Sequence, residues 1–304
     1  MKYEEAVEYM ESLNRYGIVP GLSNIENLCE ALGNPQKDLK FVHIAGTNGK
    51  GSSLAYISTV LKCAGYKVGR YVSPTIFEYR ERIQINGRPI SKKALCEWVE
   101  RIREACDSLC AAGKKHPTSF EAETALAFAY FKEQGCDIVV MECGMGGRLD
   151  ATNIIENTLV SVLASISMDH MQYLGKTLET IAAEKAGIIK NGCPVVSALQ
   201  EEAAMQVIEA IAEEKGCKLT VAQPAEVKKV RYGLEKQRFD YKTWKNLEIT
   251  LAGNHQIDNA LLAIKVLEEL NDLGYAVSEK ALRKGLQETK WPGRFTVVGK
   301  KPYF

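Results

Sequence analysis

The chain has 304 residues, 46% of them hydrophobic, enough to bury the core of one large domain or two ordinary ones. Thirty-nine Lys and Arg against 38 Asp and Glu leave a net charge of +1, without the basic excess that neutralising many nucleic-acid phosphates demands, so no nucleic-acid partner is expected. No apolar run approaches the ~18 residues that span a bilayer, and the N-terminus reads as an acidic amphipathic helix rather than a signal peptide, so a cytoplasmic chain with no membrane partner is expected. The nine cysteines are scattered without a C-x-x-C pair and read as reduced core thiols, not as a zinc site or disulfide frame.

Short runs rich in Val and Ile alternate with longer stretches of helical period, the pattern of an α/β fold with a mostly parallel sheet flanked by helices. Strands are predicted at 41–45, 68–72, 137–142, 159–166 and 194–197, nearly continuous in apolar character, as strands covered on both faces must be. Helices are predicted at 52–64, 92–112, 120–134, 178–190, 201–215 and 255–273, the last closed by Gly274. Between 225 and 251 the pattern changes to short alternating segments rich in basic and aromatic residues, which predicts a small antiparallel sheet with one solvated face. A helix at 279–287 leads to Trp291-Pro-Gly-Arg294 and a strand-like run at 295–298 with six residues after it, so a further C-terminal unit is expected to be missing.

The segment from Phe41 to Ser53 combines a buried strand, a turn carrying Gly46, Gly49, Lys50 and Gly51, and a helix starting near Ser52. Phosphate binding needs this arrangement: glycines let backbone N–H groups converge, a helix N-terminus adds its positive end, and a lysine supplies a point charge. It departs from G-x-x-x-x-G-K-[ST], with Ile44 for the first glycine and Gly51 for the hydroxyl residue that usually holds magnesium, so metal ligands must come from the carboxyl ends of other strands.

Glu142 ends one apolar strand ahead of a glycine-rich loop with Arg148 and Asp150, where it either holds a hard cation beside the phosphates or is a solvated strand-end acid. The next strand leads to Asp169 and His170 at the same edge. Lys185 falls on the apolar face of its helix with Leu178, Ile181 and Ile188, so it either snorkels outward or is placed in a site. Thr118 and Glu121 have capping-box spacing, and Gln256 and Asn259 share a face of a first helical turn.

In order, Gly46 to Ser52, Ser73-Pro74, Tyr79 to Ile83, Glu142 to Asn153, Asp169-His170, Glu184 to Ile188, Gly253 to Ala260 and Trp291 to Arg294 closely resemble the folylpolyglutamate synthase and dihydrofolate synthase branch of the Mur ligase family. The resemblance implies a P-loop NTPase-like domain over 1–293, residues 294–304 opening a Rossmann-like domain that is missing, and ligation of L-glutamate to a folate or dihydropteroate carboxylate. ATP would convert that carboxylate to an acyl phosphate, which the glutamate amine attacks. Carried over by position, Thr47, Asn48, Gly49, Lys50, Gly51 and Ser52 would cradle the phosphates, with Asn259 and Arg294 also on ATP. Ser73, Glu142 and His170 would hold magnesium (Mg2+), and Lys185, carbamylated, a second one; Lys50, His170 and Lys185 would carry the catalysis. Phe120, Glu121, Leu149, Asp150 and Ala151 would border the pterin. The family often has His-Leu after Ser-Pro, where this chain has Thr75-Ile76, which bears on the pterin loop. The expected protein is a monomer whose 304 residues alone bind ATP with little or no ligation. A non-catalytic nucleotide-binding module and a sister Mur-type ligase are the alternatives.

Overall fold

The computed structural model describes residues 1–19, 21–169 and 171–293, so His170, Arg294 and the strand expected at 295–298 lie outside the described residues. The main sheet has eight strands: β1 Phe41–Ala45, β2 Val68–Tyr71, β3 Ile83–Ile85, β4 Arg88–Pro89, β5 Ile138–Glu142, β6 Thr158–Leu163, β7 Val195–Ala198 and β8 Leu219–Ala222. Its order is β4-β3-β2-β5-β1-β6-β7-β8, parallel from β2 to β8, with the β3–β4 hairpin antiparallel at one edge. The predicted antiparallel sheet is β9 Val227–Arg231, β10 Gln237–Tyr241 and β11 Trp244–Ile249.

Ten helices cover these sheets: α1 Tyr3–Ser12, α2 Ser23–Ala31, α3 Lys50–Cys63, α4 Lys92–Ala111, α5 Ser119–Glu133, α6 Met171–Leu174, α7 Leu178–Ala186, α8 Glu202–Glu214, α9 His255–Asp272 and α10 Glu279–Glu288, counted among the described residues. None is long and apolar enough to cross a membrane. All five residues of β1 are buried because both faces are covered. Val42, Ile44, Val140 and Val162 belong to the core that α3 and α9 cover, with α10 and the small sheet behind those helices. Phe41, Val139 and Met141 belong to the core under α5, backed by α1, α2 and α4, and Leu163 and Val195 belong to the core under α7 and α8. Each such side chain removed from water contributes about 1.5–3 kcal/mol, which fixes the helices against the sheet from both sides.

Several boundaries differ from expectation. Helix α3 starts two residues early, at Lys50, because Gly49 takes the left-handed conformation at its N-cap. Helix α7 ends at Ala186 rather than 190. Strand β6 stops at Leu163, short of 166, since Ser165 leaves the ladder to pair with Asn48. The hairpin at Asn86-Gly87, both with positive φ, carries the turn signal that the sequence reading passed over. Strand β8 is a half-buried edge strand of only four residues, too short and mixed to stand out. The cysteines are all free, but only Cys29, Cys106, Cys143 and Cys193 are fully buried, so the core-thiol reading holds for four of nine.

Candidate active site

β1 lies between β5 and β6, so the chain leaves the sheet in opposite directions on either side of it, and a crevice opens at the carboxyl ends. Register brings the ends level: Ile44 pairs with Glu142, Ala45 with Leu163, and Tyr71 with Met141. The loops after β1, β2, β5 and β6 therefore start at one edge.

The loop after β1 is tied to the chain beyond β6. Backbone N–H groups of Thr47 and Asn48 donate to the Ser165 carbonyl at 2.7 and 3.1 Å, and Thr47 Oγ1 donates to the Ser167 carbonyl at 3.0 Å. Lys50 Nζ donates to the carbonyls of Gly46 (3.1 Å) and Thr47 (3.3 Å) and lies 3.8 Å from Glu142 Oε1. Gly49 has φ +84°, and a Cβ there would stand 2.4 Å from Asn259 Oδ1, so only glycine fits. Asn259 donates to Gln256 Oε1 at 3.2 Å, and Gln256 donates to Ser52 Oγ at 3.2 Å, which docks the first turn of α9 on the start of α3. Together these residues line a cavity of about 490 Å³ that also takes in Ser165, Leu199, His255 and Asp258. Those four were missed by the sequence reading; Leu199 and Ser165 follow β7 and β6 at the same edge, a signal that strand order would have supplied.

Lys185 points inward as predicted, 2% exposed, and donates to the Gly46 carbonyl at 3.0 Å. Burial, reinforced by the Lys50 charge, pulls its pKa from 10.5 down to about 8. Two lysines thus converge on one carbonyl beside the buried Glu142. Ser73 Oγ is buried without a hydrogen-bond partner, as a hydroxyl kept for a cation or ligand oxygen would be. Among the described residues no three His, Cys, Asp or Glu side chains converge as a ready-made metal site; Glu142 and the Ser73 hydroxyl are oxygen donors of the kind magnesium takes.

A second, more apolar cavity of about 390 Å³ adjoins this edge and contains Ser73 together with Phe120, Glu121, Leu149, Asp150 and Ala151, all five of the residues expected around an acceptor. Ile18, Val19, Tyr173 and Arg82 also line it and were not singled out beforehand. The Asp150 carboxylate is occupied by its own loop: it accepts from Met145 N (2.8 Å), Thr152 N (3.0 Å) and Thr152 Oγ1 (2.6 Å). Asp150 therefore shapes the cavity wall. Thr152 Oγ1 is in turn 2.8 Å from Nε2 of His43, whose burial lowers its pKa to about 3 and keeps it neutral. Glu121 does close the capping box of α5 through Oε2, while its Oε1 is buried and unpartnered, as is Arg82 Nε; burial raises the Glu121 pKa. A phosphate cradle with an acid and two lysines, set beside an apolar cavity with a few polar groups, suits transfer of a phosphoryl group to a planar, partly apolar acceptor.

Comparison with known proteins agrees. Residues 44–267 match the Mur ligase middle domain. The chain belongs to the Mur ligase family. Within it, the chain falls in the folylpolyglutamate and dihydrofolate synthase branch: it is 40% identical over 307 residues to the dihydrofolate synthase/folylpolyglutamate synthase of Bacillus subtilis, covering 99% of this chain and 71% of that protein. It superposes with TM-score 0.93 on a structure described as an FPGS-AMPPCP-folate complex, at 35% identity, covering 98% of this chain and 74% of the other. The folylpolyglutamate synthase of Thermotoga maritima gives TM-score 0.87 at 38% identity, with coverage of 97% and 68%. The Mur ligase domain here thus has the parallel sheet and small antiparallel sheet expected from its sequence.

Proposed function

We propose that the protein ligates L-glutamate to the carboxylate of a folate or dihydropteroate at the expense of ATP. The observation that carries this is the placement of Lys50, Lys185 and Glu142 around the Gly46 carbonyl, at the sheet edge that also holds the apolar cavity. In the reaction an acceptor carboxylate oxygen bonds to the γ-phosphorus as the bond to the β-bridging oxygen breaks. The glutamate amine nitrogen then attacks the acyl carbon, loses a proton, and phosphate leaves. Backbone N–H groups of Gly49 to Gly51 and the Lys50 ammonium bind and orient the phosphates, while the N–H groups of Thr47 and Asn48, taken by the Ser165 carbonyl, fix the loop. Ser73 and Glu142, with His170, would hold magnesium, which supplies charge neutralisation between the phosphates and the acceptor. Phe120 and Leu149 offer apolar surface to the acceptor ring, and Glu121 Oε1 offers an acceptor for its ring N–H groups. Asn259 and Arg294 belong to the ATP side of this reading. A monomer acting in the cytoplasm completes it.

Carbamylation of Lys185 is part of the same proposal. A pKa of about 8 leaves roughly one amine in ten neutral at pH 7, against fewer than one in a thousand for an ordinary lysine, and only the neutral amine reacts with carbon dioxide. The carboxylate so formed would turn a buried cation into a metal ligand. Incubation with ATP, magnesium, dihydropteroate or a reduced folate, and labelled L-glutamate tests the function. Labelled product, from these 304 residues alone or only once a separate C-terminal domain is added, supports ligation; ATP binding without product in both cases points to a nucleotide-binding module instead. 13C-bicarbonate labelling followed by NMR should give a lysine carbamate signal that Lys185→Met abolishes.

A further inference from the structure

The missing hydroxyl at position 51 has a structural counterpart. In the common phosphate loop the residue after the lysine is Ser or Thr. Here a Cβ on Gly51 would stand 2.8 Å from Trp291 Cζ2, 3.1 Å from Cε2 and 3.2 Å from Nε1. The obstacle is a rigid indole rather than the end of a flexible chain. The Arg70 guanidinium lies 5.8 Å from the Trp291 ring centroid and is fixed by Nε and Nη2 bonds to Ser58 Oγ at 2.9 and 2.6 Å. Two residues before the tryptophan, the Thr289 hydroxyl donates to the Gly285 carbonyl at 2.7 Å and its carbonyl accepts from Thr250 Oγ1 at 2.9 Å, which anchors the chain leading into Trp291.

We propose that Trp291 is a positioning residue of the nucleotide site: its indole fills the volume next to the first turn of α3 that a hydroxyl side chain would need, and so holds the phosphate loop in register. Gly51 and Trp291 form a size-matched pair. This inference rests on the nucleotide reading above and goes beyond it in assigning a role to a side chain outside the nucleotide cavity.

The test is a double-mutant cycle on the full chain, with MgATP dissociation constants measured by calorimetry for the unmodified protein, Gly51→Ala, Trp291→Ala and the double variant. Gly51→Ala should weaken MgATP binding about tenfold or more in the unmodified background and less than about threefold when Trp291 is already Ala, and Trp291→Ala alone should weaken MgATP binding at least about threefold, a loss that a tryptophan with only a packing role would not cause. The same cycle with Trp291→Leu serves if Trp291→Ala does not fold, because Leu leaves room beside position 51. An equal penalty in both backgrounds overturns the pairing while leaving the nucleotide reading intact. Absence of MgATP binding by the unmodified chain overturns both.

Discussion

Substituting Lys185 with Met should make the protein more stable while removing its function. Holding an ammonium whose pKa has dropped from 10.5 to about 8 in protonated form inside the fold costs about 3 kcal/mol at neutral pH. Met keeps the length and apolar contacts of the stem and removes that cost. The lost hydrogen bond to the Gly46 carbonyl offsets about 1 kcal/mol, and no more, because Lys50 Nζ still donates to the same oxygen at 3.1 Å. The net gain is about 2 kcal/mol, or a few degrees in Tm. Its pH dependence has a definite sign. Below pH 8 both folded and unfolded chains bind the proton, and the wild-type penalty is complete. Between about 8 and 10.5 the unfolded lysine keeps a proton that the folded one has released, so wild-type stability rises with pH relative to the variant. Urea unfolding of both proteins in carbonate-free buffer from pH 7 to 10 measures this. A Met variant no more stable at pH 7, or an advantage that does not shrink by pH 10, would refute the claim that Lys185 is held as a strained cation.

Ser73→Ala should leave folding stability within about 1 kcal/mol, since the hydroxyl has no partner to lose, yet reduce the magnesium dependence of ATP binding about tenfold by calorimetry with and without Mg2+. Glu142→Gln should shift the magnesium concentration needed for half-maximal ATP binding upward, and an unchanged titration would remove Glu142 from the cation site. Gly49→Ala places a Cβ 2.4 Å from Asn259 Oδ1 at φ +84°, so thermal unfolding should show a loss of about 1–3 kcal/mol together with weaker nucleotide binding. Phe120→Ala should raise KM for the pterin acceptor while KM for ATP stays constant, as steady-state kinetics with each substrate varied would show.

The phosphate loop and the inward lysine were legible because each depends on local pattern: a strand, glycines and a lysine in one case, a helical stripe in the other. Cavity walls built from several strand ends were less so. Leu199 and Ser165 come together only through the order β1-β6-β7, and His255 joins them because α9 packs on β6 and β7, which no window of sequence displays. Asp150 lines the apolar cavity, but its engagement with Met145 and Thr152 depends on how the glycine loop folds back, which side-chain spacing does not encode. Trp291 is legible only as part of a motif, and its proximity to Gly51, 240 positions earlier, follows from α10 lying on α3.

The pairing of β1 with partners drawn from about a hundred residues downstream also bears on how the chain matures. Phe41 must wait for Val139 and Val160's strand before its backbone is satisfied, so nucleation is non-local and acquisition of the native state should be slow. Because the anion cradle is complete only once those distant segments have met, nucleotide would recognise the finished molecule and shift the equilibrium toward it by mass action. Added MgATP should accordingly retard global unfolding rather than protect one corner of the protein, making ligand-dependent proteolysis resistance a direct gauge of sheet completion.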